Sequence, residues 1–260
     1  MRVPVVQHTT RRQRARRRRA LWTGGELLVT AGLVLLLLVV HQLWWTNREA
    51  RRGAERKVEE LEREWGDGAT GRGDGAGTSD PSAAPRPPTG TSTRTRERTA
   101  TAPAQPRPSW SQAYAVLVIP RLGLRVPVAE GVSKPDVLNK GYVGHYRGTG
   151  QPGLVGNFAL AGHRNTHGEP FRYINRLRAK DLVEVETRTA TYTYAVDRTL
   201  PQTSAGDSGV VRPIPRSIVE PGYGYSEPGY YITLTTCTPE YTSRYRLVVW
   251  GKLVSMRPRA

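Results

Sequence analysis

One uncharged apolar run near the amino terminus constrains this chain more than any other feature. Residues 27–40 read LLVTAGLVLLLLVV, and with their flanks the stretch 21–45 is 25 residues long. A helix needs about 20 predominantly apolar residues to cross the hydrocarbon layer of a membrane. Trp22, Trp44 and Trp45 stand where aromatic side chains meet the two membrane interfaces. We therefore predict a transmembrane anchor over residues 21–45.

The charges beside this run predict its orientation. Residues 1–20 hold eight arginines and no acidic residue, within a net charge of +17 for the whole chain. Lys and Arg within about 15–20 residues of a span mark its cytoplasmic side. We expect a basic cytoplasmic tail on a single-pass membrane protein, with no nucleic-acid partner, because the charge abuts the anchor rather than covering a folded surface. A cleaved signal peptide has the same charged start, but no small-x-small cleavage site follows Trp45.

Beyond the anchor, the composition of residues 46–109 predicts a charged stalk followed by a disordered linker. Residues 47–65 are charge-dense helix formers with apolar side chains at helical spacing, which indicates a short stalk helix. Residues 66–109 are mostly Gly, Thr, Ser, Pro and Arg. Such a segment buries too little surface to offset its conformational entropy. As a flexible linker it would have a root-mean-square reach of about 35–40 Å.

Residues 110–260 have the pattern of a folded domain. Short apolar and β-branched runs alternate there with Gly and Pro, which is typical of strands. The predicted strands are 114–119, 182–186, 191–196, 230–235 and 247–253, with weaker candidates at 121–127 and 157–160. One helix is predicted at 170–177 and a short turn at 134–139. Many short strands and few helices in about 150 residues predict a mainly β barrel or sandwich with one core.

The chain holds a single cysteine, Cys237. In an exported protein it has no internal disulfide partner, so it is a reactive thiol, an intermolecular partner or an inert small core residue. Cys237 ends a predicted strand beside a Pro-containing loop, which is a rigid and exposed place for a nucleophile. A reactive thiolate needs a cationic neighbour. Arg244 and Arg246 follow at the next predicted strand, and because they are two residues apart, strand alternation does not choose between them.

Three histidines outside the tail and the anchor are candidate bases. His163 follows a strand-like run and opens a polar loop, a suitable position for general acid–base chemistry. His167 lies within that loop, and His145 lies in a Gly-rich turn. Each of the three is also compatible with an ordinary surface histidine. The sequence has neither a Cys pair nor an HExxH or His-x-His pattern, so we expect no metal and no cofactor.

Two segments of the domain resemble sortases. Residues 233–237 read TLTTC and match the TLxTC signature of that family, and the segment AGHR at 161–164 is similar to the sequence around the sortase histidine. The order His, Cys, Arg is also the sortase order, and the resemblance covers about residues 112–255. It implies a closed eight-stranded β-barrel with one or two short helices, preceded by the transmembrane helix and the linker.

The resemblance also implies roles for individual residues. By position, Cys237 is similar to the sortase nucleophile, His163 to the acid–base group and Arg246 to the arginine of the site. Arg244 is the second choice for that arginine. Thr236 and Arg244 are expected to contact the substrate, and Thr236 could also stabilise the oxyanion.

The implied function is that of a cell-surface transpeptidase, most similar to the class E sortases of actinobacteria. Such an enzyme would cleave a C-terminal LAxTG- or LPxTG-like sorting signal between Thr and Gly. A cysteine thioester would then pass the surface protein to a peptidoglycan amine outside the cell. Residues 200–229 would form a long loop between the sixth and seventh strands, as one wall of the signal-binding groove.

Two alternatives remain at this point. An L,D-transpeptidase is also an exported β-rich cysteine enzyme, but its Ser/His-x-Gly-Cys type of motif does not match the residues around Cys237. A non-catalytic cell-surface binding module with an incidental cysteine would keep its function after alkylation of that thiol.

Overall fold

The computed structural model describes residues 8–70 and 108–259. One helix, α1 (His8–Thr70), joins most of the predicted tail, the anchor, the stalk and the first five residues of the predicted linker into a single 63-residue element. Its segment Leu21–Gly66 is long and apolar enough to cross a membrane, and the most apolar window is not buried against the rest of the chain. Most of the predicted linker, residues 71–107, lies outside the described residues, as do the first seven residues of the predicted tail.

Eight strands follow α1 and close into a barrel, which confirms the predicted fold class. They are β1 (Ala113–Ile119), β2 (Leu124–Glu130), β3 (Val143–His145), β4 (Gly156–Ala161), β5 (Leu182–Thr187), β6 (Ala190–Ser204), β7 (Tyr230–Thr238) and β8 (Tyr245–Pro258). Their order around the barrel is β1-β2-β3-β4-β7-β8-β6-β5. The pairs β2–β3 and β4–β7 are parallel. The β4–β7 pair is the one that later positions the site.

The observed strands overlap all seven predicted ones, but three details differ. Strand β3 is not predicted, because three residues are too few to show an alternating pattern. Strand β6 continues to Ser204, so the loop predicted at 200–229 begins at residue 205. Register shifts in its pairing with β8 obscure the alternation there. The predicted helix at 170–177 is wrong, because only a 3-10 turn, Ile174–Arg176, forms and Leu177 is already extended.

Strand β1 is buried on both faces, which explains its unbroken apolar sequence. Leu117 and Ile119 belong to the main core cluster inside the barrel. Val116, on the other face, belongs to a second cluster that α1 covers. That second cluster contains Val58, Leu61, Trp65, Ala113, Val116, Ala129 and Val137. The stalk part of α1 is therefore docked along the outside of the barrel.

The loop between β6 and β7 covers the outer face of β7 and β8. Val210 and Tyr225 from this loop pack against Tyr231, Val248 and Trp250. Because this cover buries the outside of β7 and the barrel interior buries its inside, residues 231–236 are all buried. The strand that leads to Cys237 is therefore enclosed along most of its length.

Candidate active site

Three adjacent strands bring candidate residues to one end of the barrel. In the parallel pair β4–β7, Ala161 lies opposite Thr235, so the carboxyl ends of both strands open at the same edge. His163 lies two residues beyond Ala161, and Cys237 lies two residues beyond Thr235. Strand β8 runs antiparallel to β7 and begins at this edge, where Arg246 is the register partner of Cys237.

These three side chains line a common cleft of about 820 Å³. Cys237 is partly exposed in it and is a free cysteine. Thr236 also lines the cleft, whereas Arg244 is not among its lining residues. Four of the five predicted site residues therefore lie together, with the thiol, the imidazole and the guanidinium around one space.

The two candidate arginines differ in their surroundings. Arg246 is half-buried, and its Nη1 donates hydrogen bonds of 3.0 Å to the backbone carbonyls of Ser243 and Tyr245. Arg244 is exposed and precedes β8, which begins at Tyr245. The alternation of side chains along β8 therefore does not fix the direction of the Arg244 side chain. Its guanidinium carbon lies 5.2 Å from the ring centroid of Tyr245. Of these two candidates only Arg246 lines the cleft, where Arg164 and Arg172 also lie.

An amide side chain holds the imidazole of His163. Its Nε2 lies 2.9 Å from Oδ1 of Asn139. Because an amide oxygen only accepts, Nε2 carries the proton and the basic lone pair is on Nδ1. Burial, followed by the nearby charges of His167 and Lys134, lowers the pKa of His163 to about 4.

The other two candidate histidines have different environments. His167 lies beside His163 in the cleft, with the ring centroids 5.2 Å apart, and burial lowers its pKa. His145 is not in a surface turn but in β3, where it is completely buried. Its Nδ1 lies 2.7 Å from Oε2 of Glu130, and its Nε2 lies 2.9 Å from Oγ1 of Thr149. These partners make His145 a structural residue of the barrel.

The hydroxyl of Thr236 is already bonded within the protein. Its Oγ1 donates to the carbonyl of Gly162 at 2.8 Å and is buried, which ties β7 to the end of β4. Gly162 itself has no room for a side chain, because a Cβ there would lie 2.7 Å from the ring of Phe171. The predicted contact of Thr236 with substrate stays a prediction, and its hydroxyl proton is not free for that contact.

Arg164 is a site residue that the sequence interpretation did not identify. It is 7% exposed, and its Nη1 donates a hydrogen bond of 3.0 Å to the carbonyl of Cys237. Its only sequence signal is its position directly after His163, since a buried arginine cannot be distinguished from an exposed one by composition. Trp44, Thr46 and Asn47 of α1 also line the cleft, and neither the predicted anchor nor the predicted stalk indicates this.

Comparison with known proteins identifies the family. The sortase domain profile matches residues 117–254. Sortase SrtE1 of Streptomyces coelicolor is 50% identical over 154 residues, which are 57% of this chain and 42% of that protein. Sortase SrtE2 of the same organism is 35% identical over 223 residues, which are 82% of this chain and 73% of that protein. The match thus spans less than half the length of SrtE1.

A solved structure agrees with these relatives. The crystal structure of sortase E1 from Streptomyces coelicolor, with a tripeptide in its active site, has a TM-score of 0.54 and 51% sequence identity to this chain. The match covers 57% of this chain and 92% of that one. The closed barrel with a cysteine at a strand end defines the class, and the chain belongs to the sortase family. Its resemblance to class E is confirmed by these relatives.

Proposed function

We propose that this protein is a sortase transpeptidase that cleaves an LAxTG- or LPxTG-like sorting signal between Thr and Gly. The observation that carries the proposal is the single cleft lined by Cys237, His163 and Arg246. The tripeptide in the active site of sortase E1 supports a peptide as the substrate here as well. The LAxTG form is the expected preference because the named relatives are sortases of class E.

In the first half-reaction, Cys237 is acylated. Neutral His163 takes the thiol proton, and the thiolate attacks the carbonyl carbon of the Thr–Gly bond. Arg246 donates to the oxyanion of the tetrahedral intermediate, and one such donor is typically worth about 3 kcal/mol. The imidazolium of His163 then protonates the leaving glycine amine, and the intermediate collapses to a thioester on Cys237.

In the second half-reaction, an amine of a peptidoglycan stem peptide attacks the thioester. His163 takes the amine proton, and the new amide bond releases Cys237 as a thiolate that recovers its proton. Water is a poorer acceptor and gives slow hydrolysis. The products are a surface protein joined to the cell wall and an unchanged enzyme, so that no cofactor is consumed.

The proposed setting is the outer face of the cell membrane. The basic residues before the apolar segment of α1 favour a cytoplasmic amino terminus. The barrel would then lie outside, where sorting-signal proteins and peptidoglycan precursors meet. One candidate membrane-spanning helix in the described residues supports a single-pass anchor.

Peptide cleavage by the full-length chain in detergent micelles tests this proposal. Labelled LAxTG and LPxTG peptides are incubated with an amine acceptor, and products are identified by mass spectrometry. We expect a transpeptidation product from the wild type, a protein-bound acyl adduct when the acceptor is omitted, and neither from Cys237→Ala. No cleavage of either peptide, with wild type equal to Cys237→Ala, would overturn the proposal. Faster cleavage of LPxTG would overturn only the expected LAxTG preference.

A further inference from the structure

Four hydrogen bonds join α1 to the loop that follows His163. Asn47 accepts from the backbone N–H of Gly168 at 3.1 Å and donates through Nδ2 to Oε1 of Glu169 at 2.8 Å. Arg51, one helical turn further on, donates to the Gly168 carbonyl and to Oε2 of Glu169, both at 3.1 Å. We call Asn47, Arg51, Gly168 and Glu169 the α1 clamp. Two helix side chains thus hold both the backbone and the carboxylate of the loop.

The clamped loop has a backbone that needs external support. His167, Gly168 and Glu169 have φ angles of 52°, 83° and 53°, a left-handed region that only glycine visits readily. Such residues persist where the surrounding structure holds them. The side chain of Glu169 is 6% exposed and forms ion pairs with Arg51 at 3.1 Å and with Arg172 at 2.8 Å. The α1 helix therefore supplies one of the two cations that hold this buried carboxylate.

The clamped loop also forms the surroundings of the catalytic imidazole. His167 directly precedes Gly168 and stacks on His163, with ring centroids 5.2 Å apart. Trp44 and Asn47 of α1 line the same cleft as His163. A change in the clamp is therefore transmitted to His163 through a single neighbouring residue. The α1 helix forms part of the cleft wall, and through the clamp it also fixes the position of His167, against which the His163 imidazole packs.

We propose that Asn47 and Arg51 are positioning residues of the active site, so that the anchor helix is a working part of the catalytic unit. They act on the reaction through the loop 163–169 and not by touching the substrate bond. The inference rests on the proposed transpeptidase function, because it concerns the placement of His163 in that reaction. Asn47 lies two residues after Trp45, about 3 Å along a helix axis. The clamp therefore also holds the cleft next to the aromatic end of the apolar segment.

Kinetics of the full-length chain in lipid nanodiscs test this role. The variants are Asn47→Ala, Arg51→Ala and their combination, and the matched control is Arg52→Ala, which changes the exposed arginine next to Arg51. We expect the double variant to lose about tenfold or more in kcat, because small misplacement of catalytic groups is costly, with KM little changed. Arg51→Lys should keep an intermediate activity, since one ammonium cannot serve both acceptors as the guanidinium does. Arg52→Ala should match the wild type.

The pH profile separates positioning from a merely structural tether. When the loop is released, His163 becomes more hydrated and loses its stacked neighbour, so the acidic limb of kcat should move to higher pH in the double variant. Lys134, the other charge that acts on His163, is unchanged in these variants. If the clamp only tethered the loop, its loss would lower thermal stability without moving the acidic limb of the kcat profile. A folded double variant with wild-type kcat and an unmoved limb overturns the proposal.

Two further measurements test the positioning role if the double variant does not fold or the wild type is inactive. Should the double variant fail to fold, Asn47→Asp replaces it, because it keeps the acceptor for Gly168 and sets a carboxylate oxygen against Glu169. If the wild type cleaves no peptide, the proposed function fails, but the positioning role can still be tested. The pKa of His163 is then measured by NMR titration in the wild type and in the clamp variant, and the His163 signals are assigned by comparison with His163→Gln. A raised pKa of His163 in the clamp variant supports the positioning role, and an unchanged one overturns it.

Discussion

Nη1 of Arg164 donates a hydrogen bond of 3.0 Å to the backbone carbonyl of Cys237. Arg164 follows His163 directly, so this bond joins the two strand ends that carry the proposed base and nucleophile. The arginine is buried, and its Nη2 lies 3.8 Å from Oε1 of Glu240, in the loop after Cys237. One side chain therefore sets the spacing between the carboxyl ends of β4 and β7.

Replacing Arg164 should lower both stability and activity. Arg164→Ala leaves the Cys237 carbonyl without this donor in a protected site, at a cost of about 1–3 kcal/mol in the free energy of unfolding. We expect the acylation rate to fall by more than the stability loss explains, because the nucleophile is no longer held. Thermal unfolding and single-turnover acylation measure the two effects. Arg178→Ala, at an exposed position, is the control, and equal behaviour of the two variants would contradict the prediction.

Arg246 should be the arginine that matters for turnover. Arg246→Ala removes the proposed oxyanion donor and should lower kcat by about 10²–10³. Arg246→Lys should recover only part of this loss, because an ammonium lacks the planar fork of donors. Arg244→Ala should stay within a few-fold of the wild type, since its exposed side chain lies over Tyr245. Steady-state kinetics of the three variants test this assignment. A larger loss of kcat in Arg244→Ala than in Arg246→Ala would reverse it.

The charge of Lys134 should contribute to the pH dependence of the reaction. Burial, His167 and Lys134 lower the pKa of His163 to about 4. Lys134→Gln removes a positive charge that opposes the imidazolium, so the pKa of His163 rises and the acidic limb of kcat/KM moves to higher pH. Lys140→Gln, at another exposed position nearby, should leave the limb in place. A limb that does not move in Lys134→Gln, or that moves equally in both, would contradict the prediction.

Asp207 should stabilise the loop 205–229 in its ionised form. Burial favours the protonated acid, but hydrogen bonds from Ser217, Thr203 and the backbone of Ile218 outweigh it, so the pKa of Asp207 is lowered. A lowered folded-state pKa gives stability that is present above the unfolded value of about 3.9 and is lost as pH falls through the folded value.

Asp207→Asn should therefore destabilise the protein at pH 7 by about 1–3 kcal/mol. The difference from the wild type should begin to shrink below about pH 4, where the unfolded chain takes up the proton, and should shrink further as the pH falls through the lowered folded-state pKa of Asp207. Chemical denaturation at several pH values measures this convergence. A difference that grows as the pH falls would have the wrong sign for this prediction.

Local patterns made the catalytic candidates predictable. Cys237 and His163 each lie in a short contiguous motif at a strand end, and the strands themselves show apolar runs that need no knowledge of the rest of the chain. The resemblance favours Arg246, and the start of β8 at Tyr245 gives a physical reason to separate it from Arg244. The apolar runs predict a barrel or sandwich, whereas the resemblance to sortases implies the closed eight-stranded form and the choice of His163 over His145 and His167.

Contacts between distant parts of the chain were not predictable. Asn47 and Glu169 are 122 residues apart, and no local pattern marks either as the partner of the other. The interpretation of 170–177 as a helix failed for a related reason. Phe171, Ile174 and Leu177 are buried as that apolar pattern requires, but packing into the barrel satisfies them with a single 3-10 turn.

Trp65 near the end of α1 and Ala113 at the start of β1 belong to the same buried cluster. The segment between them therefore begins and ends on one side of the barrel, and it does not separate the stalk from the barrel. Lengthening such a connection twofold costs only about 0.6 kcal/mol in closure entropy. With α1 as the proposed membrane anchor, the stalk that packs on the barrel would continue without a break into the membrane-spanning segment. In that arrangement the cleft, which Trp44 of α1 lines, would lie at a fixed and short distance from the bilayer surface.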